Sequence, residues 1–348
     1  MKINEFFKRY SLIFVLSMAF SLTLIPKRYE MPLTFEDWHH LRILKDYLHT
    51  FPNEDLIINF GFHFLSSLAF LFINSVFKVS LIDFSRFFPT LLSLSSLYLW
   101  YLILKIYDSK IALISSFFLS TSKVFLNTSL IFHPLSLALM LYLLGILFFL
   151  KRRLILTSLV CLTLIMTHDI ISISFLLSIA FLSFFEKRKF HFFIISGCLA
   201  LTLFLLSSTE LKPIEISMKN LQVLILDLGI PHLSLAFLAI LFLRRKIFKD
   251  RFLVLLSLPI LISVTLTSNY VLFSLPITIL SSHLLGEALS SIKMNLKLKA
   301  SLIFFVLLIS FAPSLRMLYD IEPVEMESFR PSLFLGNSSL REVVAFDE

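Results

Sequence analysis

The sequence is poor in the residues that mark most soluble architectures. Only 16% of its 348 residues are charged, glycine occurs six times, proline 12 times and cysteine twice. A soluble domain carries about 25% charged residues, so a water-facing surface of ordinary composition is excluded. So few glycines and prolines exclude collagen-like and low-complexity chains. Cys161 and Cys198 both lie within apolar runs, which argues against a disulfide framework or a cysteine zinc site and for packing. What is abundant is apolar: 57% hydrophobic residues, 40 of the 348 being phenylalanine, with a mean hydropathy of +0.90. That excludes disorder and points to a membrane protein. The formal net charge of +8 fits basic loops flanking membrane spans, and no nucleic-acid-binding motif is present.

A membrane-crossing helix needs about 20 mainly apolar residues. Apolar runs lie near 10–26, 57–77, 87–106, 110–127, 134–150, 154–167, 169–185, 190–207, 221–243, 252–268, 271–290 and 299–315. The expected fold is all-α: a polytopic transmembrane helix bundle. Residues 1–317 read as one transmembrane domain and 318–348 as an acidic tail. The first run lacks a small-residue cleavage site before Pro26 and reads as a retained anchor. Lys and Arg collect in cytoplasmic loops. Sixteen fall in one alternating set of loops, at 105–110, 151–153, 187–189, 244–251 and 293–299, against six in the other set and the tail. The first set is therefore expected inside and the tail outside. Lys2, Lys8 and Arg9 argue for a cytoplasmic N-terminus. Charge does not decide whether 57–77 crosses. Its content of Asn59, His63, Ser66, Ser67, Asn74 and Ser75 is polar for a lipid-facing span, and it suits a helix lying outside on the bundle.

The stretch from Pro32 to His49 is the richest in chemistry. Thr34 followed by Asp37 is a capping-box pattern, and Trp38, Leu41, Leu44 or Lys45, and Leu48 recur at helical spacing. An amphipathic helix is expected, with Glu36 over His40 and Asp37 over His40 or Leu41. Two carboxylates and the imidazoles of His39 and His40 within five residues can converge on a divalent metal or on a hydroxyl to be deprotonated. A capping acid with a solvated polar face would look the same in sequence.

An N-terminal anchor followed by an external loop carrying Glu36-Asp37-Trp38-His39-His40-Leu41-Arg42 resembles the GT-C superfamily. These are polytopic glycosyltransferases with polyprenyl-phosphate sugar donors. The stretch is similar to one in archaeal oligosaccharyltransferases and to the acidic motif of the protein mannosyltransferase and aminoarabinose transferase branches. Residues 59–65, Phe84-Ser85-Arg86-Phe87-Phe88-Pro89 and Ile131-Phe132-His133-Pro134 extend the resemblance over about residues 1–190. It implies about 11 spans, with the external loop 27–86 carrying amphipathic and juxtamembrane helices. It implies Asp37, Glu36 and His40 as the acid/base group. Arg86, Lys123, Arg42 and Lys45 become candidates to neutralise a leaving lipid phosphate. The chain departs in the second external loop, where those families usually carry an acid and this sequence has His133. Histidine is itself a metal-binding residue type. His133, His39, His168 and Asp169 are therefore the metal candidates, for Mg or Mn. The implied partners are a lipid-linked sugar and membrane lipids, and the implied place is the cell membrane with the first loop extracytoplasmic.

Other readings stay open. Asp227 lies about two turns inside its apolar run, with His232 just after Pro231, and an intramembrane acid of that kind can centre a secondary transporter. A non-catalytic protein that binds a lipid-linked sugar is the third reading, favoured by the absence of a second-loop acid.

Overall fold

A computed structural model describes residues 3–24, 35–49, 60–168, 171–176, 178–179, 270–292, 298–299 and 301–306, with 234 and 295 singly. Among them the regular structure is helical throughout. The labelled helices are α1 (Ile3–Leu24), α2 (Phe35–His49), α3 (Phe60–Phe77), α4 (Leu81–Lys105), α5 (Ser109–Thr121), α6 (Lys123–Leu130), α7 (Pro134–Leu150), α8 (Leu154–Thr167) and α9 (Tyr270–Ser291).

Local chemistry sets the boundaries. Ser80 caps α4: its Oγ accepts from the Asp83 amide at 3.1 Å, and its hydroxyl donates to Asp83 Oδ2 at 2.9 Å. That satisfies donors that a helix start leaves open. Asp108 caps α5 by accepting from the Lys110 amide at 2.6 Å. Between α3 and α4, Lys78 takes the left-handed conformation at φ 50, and Arg152 does so at φ 60 between α7 and α8. Both reverse the chain after a helix end, a conformation that costs a non-glycine residue.

The apolar run 110–127 does not form one straight helix. It breaks at Ser122 into α5 and α6, bent by 65°. Ser122 caps α6 through the Phe125 amide at 3.4 Å, and its hydroxyl also bonds the Leu119 carbonyl at 2.8 Å.

Helix α4 is the spine. It packs along α5 and α7 and also meets α1 and α6, while α7 packs along α8 and α9 along α5. Trp100 is fully buried in this seam and donates from Nε1 to Ser115 Oγ at 3.1 Å. Thr90 donates to the Ser129 carbonyl at 3.2 Å, tying α4 to α6. Such hydroxyl links and close small-residue contacts are how apolar helices associate.

Helices α4 and α5, and α7 and α8, are joined by short turns and pack along one another, so the described bundle has two chemically different poles. The basic turns at Lys105–Lys110 and Lys151–Arg153 lie at one end of α4, α5, α7 and α8. The starts of α4 and α7 and the end of α8 lie at the other, about 25 Å away for a helix the length of α7.

Two helices, α3 and α4, are long and apolar enough to cross a membrane, and the bent pair α5 and α6 would make a third. Although α3 qualifies by length, it packs on α2 and α8 rather than along α4. From Leu71 to Lys78 it is exposed except at Ile73. The expected spans at 190–207, 221–243 (apart from residue 234) and 252–268 lie outside the described residues, as does the tail 318–348.

Gly61 lets α3 approach α8. A Cβ there would stand 2.8 Å from the Met166 carbonyl carbon and 2.9 Å from its oxygen, and a backbone neighbour yields little. Gly61→Ala is expected to cost about 1–3 kcal/mol, the usual penalty of overpacking, and to move the start of α3. Thermal unfolding in detergent would read it as a lowered midpoint. A midpoint equal to wild type would mean that α3 is not held against α8.

Candidate functional site

The face that α2 buries contains Asp37, His40, Leu41 and Leu44, an i, i+3, i+4, i+7 stripe. Trp38 is only half-buried. The acid and the imidazole therefore belong to the packed face, not to a solvated one. Glu36 is in the first turn of α2, and its side chain lies outside the described residues, as does Thr34.

Asp37 Oδ1 accepts a short hydrogen bond from the backbone N–H of Phe132, 95 residues on. That amide immediately precedes His133, the N-cap of α7, whose Nδ1 accepts from the Leu135 amide at 3.1 Å. Pro134 follows at the first helical position, where no amide hydrogen is needed. A phenylalanine cluster seats this entry: Phe132 lies 5.0 Å from Phe62, 6.2 Å from Phe84 and 6.3 Å from Phe88 between ring centroids.

The result is an imidazole cluster. The His40 ring centroid is 5.2 Å from His133, 5.2 Å from His63 and 5.3 Å from His39. His168, at the end of α8, is close enough to His133 to act on its charge. Burial, reinforced by His133, His63 and His39, pushes His40 down from 6.5 to about 2. His133 is pushed down to about 4, by burial first and then by His168 and His63. Both are neutral imidazoles near pH 7.

The residues expected to form the site divide into those brought together and those not. Asp37, His40, His133 and His168 share one end of the bundle, and His39 stands exposed at its edge. Arg42 is exposed on α2, and Lys45 is half-buried. Arg86 is largely buried, with Nη1 3.4 Å from Asp83 Oδ1 and its guanidinium 5.9 Å from the Phe87 ring. Lys123 opens α6 at the break, about 10 Å of helix before Leu130. Asp169 and Asp227 lie outside the described residues. From the sequence His63 reads only as one of the polar residues of the run 57–77, and the fold brings it beside His40.

A divalent ion needs lone pairs that converge. Among the described residues, no group of three or more His, Cys, Asp or Glu side chains is arranged to hold one. His133 gives the reason at its own position. Its Nδ1 lone pair takes the Leu135 amide, so the neutral ring carries its proton on Nε2, which then donates rather than ligates. As placed, His133 offers a metal no lone pair, and Asp169 and the Glu36 side chain lie outside the described residues.

The described residues form an all-helical fold whose apolar helices mark a membrane protein. The solved structures it resembles include archaeal oligosaccharyltransferase AglB from Archaeoglobus fulgidus in complex with an inhibitory peptide and a dolichol-phosphate. The TM-score is 0.59 at 13% identity, over 90% of this chain and 56% of that one. The same organism's oligosaccharyltransferase matches when tethered to an acceptor peptide containing the NVT sequon via a disulfide bond, with TM-score 0.56, 13% identity and coverage of 90% and 55%. Its apo form matches with TM-score 0.52, 14% identity and coverage of 90% and 56%. The chain spans a little over half the length of these structures, and identity this low speaks for the fold alone. No family model matches the chain, and no curated protein does.

Two outcomes follow from this geometry. Asp37→Ala strands the buried Phe132 amide at a cost of about 1–3 kcal/mol, whereas Asp37→Asn keeps an acceptor oxygen. Unfolding midpoints should therefore rank wild type and Asp37→Asn above Asp37→Ala. Equal midpoints would mean that the Asp37 link carries no stability. The second outcome concerns pH. The unfolded chain protonates its histidines near 6.5, while folded His40 and His133 resist to about 2 and about 4. Below 6.5 the unfolded state thus binds more protons, so stability declines as pH falls from about 7 toward about 4. His40→Phe should flatten that decline, and an unchanged slope would show that His40 is not the group responsible.

Proposed function

We propose that the chain transfers a sugar from a polyprenyl-phosphate-type donor to an acceptor on the extracytoplasmic face of the membrane. The observation that carries this reading is the joining of Asp37 and His40 of the first loop to Phe132 and His133 of the second. They meet at the pole opposite the basic turns. The positive-inside tendency supports reading that pole as the external one. The solved AglB structure binds a dolichol-phosphate and a peptide, and a lipid-linked donor is the corresponding partner here.

In this reading the acceptor oxygen forms a bond to the anomeric carbon as that carbon's bond to the lipid phosphate oxygen breaks. The carboxylate of Asp37 or Glu36 takes the acceptor's proton. The negative charge that stays on the lipid phosphate is met by cations of the external pole, for which Arg86, Arg42, Lys45 and Lys123 are the candidates.

The test is transfer of labelled sugar from a polyprenyl-phosphate donor by the full chain in proteoliposomes. Asp37→Asn, which keeps the link to Phe132, is expected to lower the rate about 10²- to 10⁴-fold, the usual contribution of a positioned acid/base. Wild-type rates in both Asp37→Asn and Glu36→Gln would refute the acid/base assignment.

A further inference from the structure

His63 has no role in the account so far, yet its surroundings are not those of a packing histidine. It is 1% exposed, and neither ring nitrogen has a hydrogen-bond partner. Nδ1 of His40, whose residue is 6% exposed, is in the same condition. Buried polar groups are almost always satisfied, by protein, water or ligand, so three buried nitrogens on two rings 5.2 Å apart need an occupant.

The chemistry of the ring atoms selects its class. A neutral imidazole offers one donor and one acceptor. His133 adjoins His40 and, with Nδ1 engaged by Leu135, presents an Nε2 donor. A metal ion would need a lone pair there. A phosphate would need cationic partners, and uncharged rings do not supply them. A hydroxyl oxygen, which both accepts and donates, matches the set. Aromatic rings flank it: Tyr47 lies 5.8 Å from His63 and Phe62 lies 5.7 Å from His40. Neutral hydrogen-bonding groups beside aromatic faces suit a carbohydrate, whose hydroxyls bond while its C–H face packs on the rings.

We propose that His40, His63 and His133 form a binding site for a hydroxyl of a carbohydrate, with His63 contacting the ligand directly. The identity of the ligand rests on the sugar-transfer reading, whereas the site itself rests on the cluster.

The experiment compares wild type with His63→Phe, which keeps a ring and removes both nitrogens, using the full chain in detergent. Thermal unfolding is measured without ligand, with the methyl glycosides of glucose, galactose and mannose, and with zinc. Without ligand, His63→Phe should unfold at or above the wild-type midpoint, because no native hydrogen bond is lost. At least one glycoside should raise the wild-type midpoint, and that shift should vanish in His63→Phe. It should persist in reduced form in His63→Gln, which retains a donor and an acceptor and covers the case in which His63→Phe fails to fold. In the transfer assay His63→Phe should be slowed about tenfold or more, the worth of one hydrogen bond or two. A lowered midpoint of ligand-free His63→Phe, or no glycoside shift in wild type, would overturn the site. So would a zinc shift lost in His63→Phe, which would make the cluster a metal centre. Glycoside binding without sugar transfer would sink the transferase reading alone and leave the site standing.

Discussion

A carboxylate in an apolar interior has to be hydrogen-bonded, because leaving it unpaired costs several kcal/mol. Asp37 meets that demand with the amide of Phe132, and much of the site follows. The bond joins the helix of the first loop to the entrance of α7. Phe132 is then fixed among Phe62, Phe84 and Phe88. With Phe132 in place, His133 caps α7 and presents its ring to His40. Gly61 completes the arrangement by letting α3 reach the end of α8, which puts His63 beside His40.

The remainder of the fold keeps this constellation at one pole. Packing of α4 against α5 and α7 separates the basic turns from the imidazole cluster by roughly the length of a helix. By the positive-inside tendency the cationic turns favour the cytoplasmic side, and the opposite pole carries Asp37 and the imidazoles together with Arg42, Lys45 and Arg86.

Much of this was legible in the sequence, and the misses have physical reasons. The helical periodicity after Pro32 and the apolar runs match α2, α7 and α8 closely, whereas α4 starts at Leu81, six residues before the run expected at 87–106. The packed face of α2 keeps Leu41 and Leu44 of the helical pattern but adds Asp37 and His40 in place of Trp38. Apolarity pointed to Trp38, while the tertiary bond of Asp37 turned the acid and His40 inward. The break at Ser122 was hidden inside an apolar run, since a serine between helices reads as a tolerated polar residue until its cap is seen. The resemblance covers residues 59–65 but gives His63 no role, and its approach to His40 is a pairing between distant segments that leaves no periodic trace in a single sequence.

The most direct test of the account is the sidedness of its two poles. Asp46 and Arg152 are both exposed, on α2 and in the α7–α8 turn. Each is replaced by cysteine in a chain freed of Cys161 and Cys198, and intact cells are treated with a membrane-impermeant thiol reagent. The account predicts labelling at 46 and protection at 152 until the membrane is opened. Labelling at 152 with protection at 46 would put the imidazole cluster in the cytoplasm and contradict an extracytoplasmic site.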